Sequence, residues 1–289
     1  MNESQEKRHA AISSVAAAVF LTLLKLIVGL STNSLGILSE AAHSGLDLIA
    51  ALATFIAIRY ASKPADEDHH FGHGKGENIS ALFQTVLLLI TCAWIIFEVI
   101  GRLSGKPFEM EVGIWSFLVI IISIIVDISR SRMLKRVAEK YNSQALEADA
   151  LHFSSDIFSS GVVLIGLAGF YFGYQSADSI AALVVAVLVI AITARLGKRA
   201  IDELLDKAPS GIKQRVREIV LQVSDVERVH DIKVRSSGGN YLIEMNIHVK
   251  PDITIEKAHE ISHRVESDIC RGINRCEVMV HVEPEPMVR

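Results

Sequence analysis

Apolar and polar residues are distributed along this chain on two different length scales, and the change falls near Asp206. Before it come six mostly apolar runs: Ala10–Leu30, Leu35–Tyr60, Ile79–Leu103, Val112–Val137, Leu146–Phe172 and Ala177–Leu204. Each is long enough, as a helix, to cross the ~30 Å hydrocarbon core of a bilayer. After it, Pro209-Ser210-Gly211 interrupts and the periods shorten. Ile212–Val223 repeats apolar residues at helical spacing, while Val229–Arg235 and Tyr241–Val249 alternate apolar with polar as half-buried strands do. Ser236-Ser237-Gly238-Gly239-Asn240 supplies hairpin chemistry between those strands. Ile255–Ile269 is helical again, with Thr254 at its N-cap, and Val278–Val282 reads as a closing strand. The expected fold is an α-helical membrane domain of six transmembrane helices (residues 1–206), then an α-β-β-α-β domain (residues 207–289) with its helices on one sheet face.

Composition agrees with that division. Half of the 289 residues are hydrophobic, which is membrane-protein usage with enough polar sequence left for one small domain. A net charge of −4 argues against nucleic acid as a partner. The first apolar run is too long for a signal-peptide core and leads straight into further spans, so no cleaved leader is expected. The three cysteines, Cys92, Cys270 and Cys276, form no CxxC and no obvious disulfide framework, as suits a tail in a reducing cytosol. Loop charges set the orientation. Lys7, Arg8, Arg59, Lys63, Lys75, the run Arg130–Lys140, and Arg195, Lys198 and Arg199 all fall on one side. The loops Ser31–Ser34 and Tyr174–Ser176 carry neither Lys nor Arg, and the third loop only Arg102 and Lys106. The positive-inside rule therefore puts both termini in the cytoplasm.

Within the apolar runs, Ser39–Ala50 and Ala148–Ser159 share one pattern: an acid, Ala, a variable residue, His, and Asp four positions after the His. The residues are Glu40, Ala41, His43 and Asp47, then Asp149, Ala150, His152 and Asp156. Residues four apart share a helix face, so each run projects an imidazole and a carboxylate from one stripe. Ionisable groups at membrane depth are costly and mark ion paths. With the second and fifth spans antiparallel, His43 comes level with Asp156 and Asp47 with His152. Two nitrogens and two oxygens make a tetrahedral set suited to Zn²⁺. The opposed topology of the two halves points to an inverted repeat with its site at the interface. Glu40 and Asp149 share those faces as outer carboxylates, proton carriers or structural groups. Lys25 is expected to snorkel to the outer surface, Glu98 to do likewise or pair with Arg102, and Asp127 to pair with Arg130 or serve as a relay.

Two further clusters offer metal ligands. In the loop Pro64–Glu77, Asp66, His69, His70 and His73 crowd between flexible glycines and can wrap a cation. The tail holds His230, His248, His259, His263 and His281, with Asp231 and Glu283 beside two of them; their spacing alone leaves the ligand set open.

With SEAAHSGLD, PADEDHHFGHGKGE, LEADALHFSSD and the VHDIKVR…NIHVK…VMVHVEP frame on view, the chain resembles a bacterial cation diffusion facilitator over nearly its whole length. The resemblance implies a divalent-metal efflux transporter of the inner membrane, with a ferredoxin-like, metallochaperone-like cytoplasmic tail, working as a homodimer that exchanges metal for protons by alternating access. It implies a transport site at His43, Asp47, His152 and Asp156, and a loop site at Asp66, His69 and His73 with His70 a bystander. It implies a binuclear tail centre at the dimer interface, formed by His230, His248, His259, His281 and Glu283, and a Lys75–Asp206 salt bridge near the membrane surface of the dimer. Histidine in both transport stripes favours Zn²⁺, with Cd²⁺, Co²⁺ or Fe²⁺ also accommodated, over Mn²⁺. The metal is substrate and regulatory ligand, with no catalytic cofactor. A Mn²⁺- or Fe²⁺-selective relative, a membrane metalloenzyme and a non-transporting sensor are the competing readings. No nucleophile or general base is placed to serve an enzyme.

Overall fold

The computed structural model describes residues 2–33, 35–103, 114–171 and 177–286. They form two compact units, residues 1–201 and 202–289. The expectations placed on Lys106 and on the loop Tyr174–Ser176, and on the side chains of Glu98 and Arg102, lie outside the described residues.

Among the described residues the first unit has six long helices: α1 Glu3–Thr32, α2 Leu35–Ala61, α3 Gly76–Leu103, α4 Ile114–Tyr141, α5 Gln144–Tyr171 and α6 Ala177–Leu204. Several run beyond the apolar stretches into polar flanks, because continuing a helix satisfies backbone groups that would otherwise need other partners. α1 begins with a capping box in which Asn2 Oδ1 accepts from Gln5 N–H at 2.9 Å. Among the described residues, Glu3–Thr32, Glu40–Ala61 and Gly76–Gly101 are long and apolar enough to cross a membrane. Charges along α4 and the first half of α5 dilute theirs. α1 packs along α2 and α4 along α5, α1 also touches α4 and α5, and α2 meets α5. Small residues allow these approaches: Ala10, Ala11, Ala138, Ala145 and Ala150 are buried in one cluster, and Ala81, Ala148 and Ala200 in another.

The second unit contains α7 Ile212–Val220, β1 Arg228–Ser237, β2 Asn240–Val249, α8 Ile255–Gly272 and β3 Cys276–Pro284. The sheet order is β1-β2-β3, with β1/β2 antiparallel and β2/β3 parallel. The hairpin closes through Gly238 and Gly239, at φ +59° and +81°. Two successive positive φ values match the strand twist and favour glycine at both positions. α8 is capped by Thr254, whose hydroxyl accepts from Lys257 N–H at 3.2 Å. Its stripe Ile261, Val265 and Ile269 packs with Val216 and Val220 of α7 against Val229, Ile232, Val234, Ile243, Met245 and Ile247. A bulge in β1 between His230 and Lys233 keeps this face continuous: Val229 points in before it, and Ile232 and Val234 after it. His230, Asn246, His248, His281 and Glu283 are thereby left on the other face.

The expectation of no disulfide is corrected by the turn between α8 and β3. It brings the Cα atoms of Cys270 and Cys276 to 5.7 Å, and the two are joined. Nothing in the spacing of the two cysteines pointed to the pair, so only the turn's geometry reveals it.

Ile247 is fully buried at the centre of the tail core. Ile247→Ala is expected to cost roughly 2–5 kcal/mol, measured as a lowered unfolding midpoint of the tail by far-UV circular dichroism.

Candidate metal centres

α2 and α5 meet with the two pattern copies facing each other. His152 Nε2 lies 2.9 Å from Asp47 Oδ1, and His43 Nε2 lies 4.0 Å from Asp156 Oδ1. Both partners move four residues along their helices in opposite directions, which is the register of an antiparallel pair. His43 Nε2 is also 3.9 Å from Asp47 Oδ1, so one imidazole and both carboxylates converge from two helices, with His152 joined through Asp47. Two donors sharing a tetrahedral ion at bonds of ~2.0–2.1 Å stand about 3.3 Å apart. The distances here bracket that separation. His152 Nδ1 is buried without a partner, so its other nitrogen is the one committed to Asp47.

The two pattern acids turn away from this centre, each towards α1. Asp149 is fully buried and accepts from the Ser14 hydroxyl at 2.6 Å. Glu40 Oε2 accepts from Lys25 Nζ at 3.1 Å, and the same ammonium donates to Ser44 Oγ at 2.8 Å. Lys25 is 8% exposed, so it does not snorkel outward as expected. A carboxylate and a hydroxyl within reach hold the charge where it is. α1 is thus pinned to both site-bearing helices, to α2 near one end and to α5 further along.

Asp127 does not make the pair with Arg130, one of its two expected roles. It is 3% exposed and within electrostatic reach of Lys25, Asp47 and His152. It follows the buried i, i+4 row Val119, Ser123, Asp127, Ser131, whereas Arg130 points off that row to Ser129 Oγ and Met133 Sδ. The i+3 spacing suggested an Asp127–Arg130 pair, but Arg130 reaches Ser129 and Met133 instead.

The loop after α2 forms a second cluster. Asp66 accepts from the backbone N–H groups of His69 at 2.7 Å and Asp68 at 3.1 Å, which holds its carboxyl below the usual carboxylate range. His69 Nδ1 lies 3.2 Å from Asp66 Oδ1, and His73 Nε2 lies 3.3 Å from Asp66 Oδ2. The buried His73 ring packs edge-on against Tyr60 and donates Nδ1–H to the Pro64 carbonyl at 3.2 Å. That hydrogen bond leaves Nε2 as the free lone pair. His70 instead bonds the Glu67 carbonyl and faces away.

In the tail, His248 and Glu283 are cross-strand neighbours in the β2/β3 register, and His230 reaches them over the next strand. His230 Nε2 is 3.0 Å from His248 Nε2, and Glu283 Oε2 is 3.3 Å from both. His281 stands at the rim, its Nε2 3.7 Å from Glu283 Oε1. Asp231 lies 3.1 Å from His230 Nδ1. Sequence reasoning missed Glu285, whose Oε2 is 2.9 Å from His248 Nδ1. Positions 281, 283 and 285 share one face by alternation, and that signal would have found it. His259 is not in this group. It sits on α8, in the layer covering the opposite sheet face, and meets His263. Asp206 accepts from Arg235 at 3.4 Å within this unit.

Two family models match the chain. One, described as the cation efflux transmembrane domain, covers residues 11–205, and one described as the cation efflux protein cytoplasmic domain covers residues 208–285. A cation-efflux pump FieF of Salmonella arizonae is 32% identical over 279 residues, 95% of this chain and 92% of that protein. A cation-efflux pump FieF of Klebsiella pneumoniae is 30% identical over 291 residues, 100% of this chain and 97% of that protein. A structure of a MamM CTD variant aligns at 31% identity with 26% of this chain and 94% of its own, at a TM-score of 0.25.

Removing one member of an intramembrane ion pair leaves the other uncompensated, which costs more than removing both. Lys25→Met is therefore expected to lower the thermal unfolding temperature of the detergent-purified protein, and Lys25→Met with Glu40→Gln to recover part of the loss. Additive losses in that double-mutant cycle would show that the two side chains do not act as a pair.

Proposed function

The chain belongs to the cation efflux family, the cation diffusion facilitators, and is a membrane transporter of cations rather than an enzyme; from that premise we propose that it exports Zn²⁺ in exchange for protons, as a homodimer in the inner membrane with both termini in the cytoplasm. The observation that carries the choice of metal is the donor set on α2 and α5, two imidazoles and two carboxylates within 2.9 to 4.0 Å of one another in their closest pairs. Nitrogen donors disfavour Mg²⁺ and Ca²⁺, and four mixed nitrogen and oxygen donors suit the tetrahedral preference of zinc. Two carboxylates neutralise a dication, so the loaded centre carries no net charge into the bilayer.

The same chemistry couples metal to protons. Histidine nitrogens and carboxylates bind metal only when deprotonated, so protons arriving at these four side chains compete directly with the ion. Imidazoles ordinarily titrate near neutrality, within reach of a cellular pH gradient. A centre that opens inward deprotonated and outward protonated would exchange the two. The backbone-pinned loop set Asp66, His69 and His73 fits a cation near the entry side, and the strand set His230, His248 and Glu283, extended by His281 and Glu285, fits a regulatory ion. Homodimerisation is supported by the tail's match to a family model named for a dimer. Basic residues concentrated along the C-terminal part of α4 and in the loop after α2 support the orientation.

Asp47→Ala and Asp156→Ala are each expected to reduce Zn²⁺ flux into proteoliposomes to the level of empty vesicles, and collapse of the pH gradient to do the same to the wild type. Wild-type flux in both variants would remove the site assignment. His43→Asp is expected to shift competition towards Mn²⁺ and Cd²⁺, read from the concentrations of each ion that halve Zn²⁺ uptake.

A further inference from the structure

The two ion clusters of the membrane unit stand at different levels. Asp66, His69 and His73 lie in the loop that follows α2, while Asp47 sits about 20 Å back along that helix from its end at Ala61. A dication crossing that distance among apolar side chains needs polar partners on the way.

Thr54 continues the stripe of His43 and Asp47, two turns and about 10 Å nearer the loop. Between Asp47 and Thr54 this stripe carries the buried methyl groups of Ala50 and Ala51. Thr54 Oγ1 donates to the Ala50 carbonyl at 3.2 Å, which commits its hydrogen. Towards α3 the hydroxyl is therefore an acceptor, and it receives Gln84 Nε2. That order fixes the Gln84 amide, with its nitrogen on Thr54 and its oxygen directed elsewhere. Gln84 is 1% exposed, and its Oε1 has no hydrogen-bond partner among the described residues.

A buried amide oxygen left alone is costly, so such an atom calls for an explanation. Ser80, one turn nearer the loop on the same face of α3, supplies a second: its buried Oγ is likewise unpartnered among the described residues. Glu77, the next member of that row towards the loop, is already satisfied by Lys7 at 2.9 Å and by Ser143. In the other direction the row turns apolar at the buried Leu88. Asn78 Oδ1 is also unpartnered, but it lies about 120° round the helix from Gln84. Two open oxygen acceptors thus share one row, which stops level with Thr54, midway between the loop cluster and the α2–α5 centre.

We propose that Gln84 Oε1, with Ser80 Oγ before it, is an intermediate oxygen ligand for a partly hydrated divalent cation moving between the loop cluster and the α2–α5 centre.

An uncharged amide oxygen suits such a step, because it replaces one water of the ion's shell without the charge that would hold the ion there. With no imidazole at this level, the step discriminates little between transition metals, and selection stays with the centre. The inference rests on the reading of α2 and α5 as the transport centre. The competing role for Gln84 is a structural tie from α3 to α2.

Zn²⁺ is mixed rapidly with the full-length protein in detergent, and its uptake is followed with a competing fluorescent chelator. The ion at the centre is the equivalent that Asp47→Ala removes. Gln84→Met, which keeps the side-chain length and removes the acceptor, is expected to slow filling of the centre roughly tenfold while equilibrium affinity stays within about twofold. Asn78→Leu, an equally buried change on another face of α3, is expected to leave the filling rate unchanged. Gln84→Glu, which puts a carboxylate oxygen in the same place, is expected to hold one additional Zn²⁺ equivalent per chain. An unchanged filling rate in Gln84→Met overturns the proposal, as does equal slowing by Asn78→Leu. If Gln84→Met does not fold, Gln84→Glu decides alone, and the absence of an added equivalent overturns the proposal. No equivalent lost in Asp47→Ala would instead show that the centre itself is misassigned, and the inference falls with it.

Discussion

Ionisable side chains inside hydrocarbon must be compensated, and the membrane unit is arranged around meeting that demand at one level. His43, Asp47, His152 and Asp156 are each far from the residues that flank them in polar sequence, yet each finds its opposite number across the α2–α5 contact. The antiparallel register is what makes this possible. A slip of one residue on either helix would rotate a carboxylate by about 100° off the shared stripe. Both helices are therefore held to a precise relative position, and the small residues along them and the hydrogen bonds to α1 serve that end.

α1 carries none of the four clustered side chains but reaches both helices that do. Ser14 meets Asp149 on α5, while Lys25 meets Glu40 and Ser44 on α2. The repeated acid of the two patterns thus has a common role in each copy, tying its helix to the same neighbour. The fixed ammonium also offsets part of the negative charge around the centre, where Asp127 adds a further buried carboxyl.

The tail solves a different problem. With water available, it uses sheet alternation to separate an apolar core face from a polar, histidine-bearing face, and a β1 bulge keeps the two in phase. Glu285 joins His248 because it continues the outward alternation of β3 beyond Glu283. The α8 pair belongs to another surface altogether, since a helix covering the core face turns its exposed residues away from the sheet.

Apolar run lengths and the switch from long to short periods fixed the six helices and the α-β-β-α-β order, because burial of the backbone in lipid and alternation in a sheet are local constraints. The repeated His-x-x-x-Asp spacing likewise made the α2–α5 pairing legible, since a helix face is set by spacing alone. Tertiary contacts decided the rest. Lys25 faces Glu40 instead of the membrane surface, Asp127 faces inward instead of towards Arg130, and Cys270 joins Cys276 across a turn. Within one chain, His259 and the strand histidines lie on different surfaces for the same reason. Each depends on how one element is rotated against another, and that rotation is determined by the packing of many side chains whose partners lie far away in the sequence.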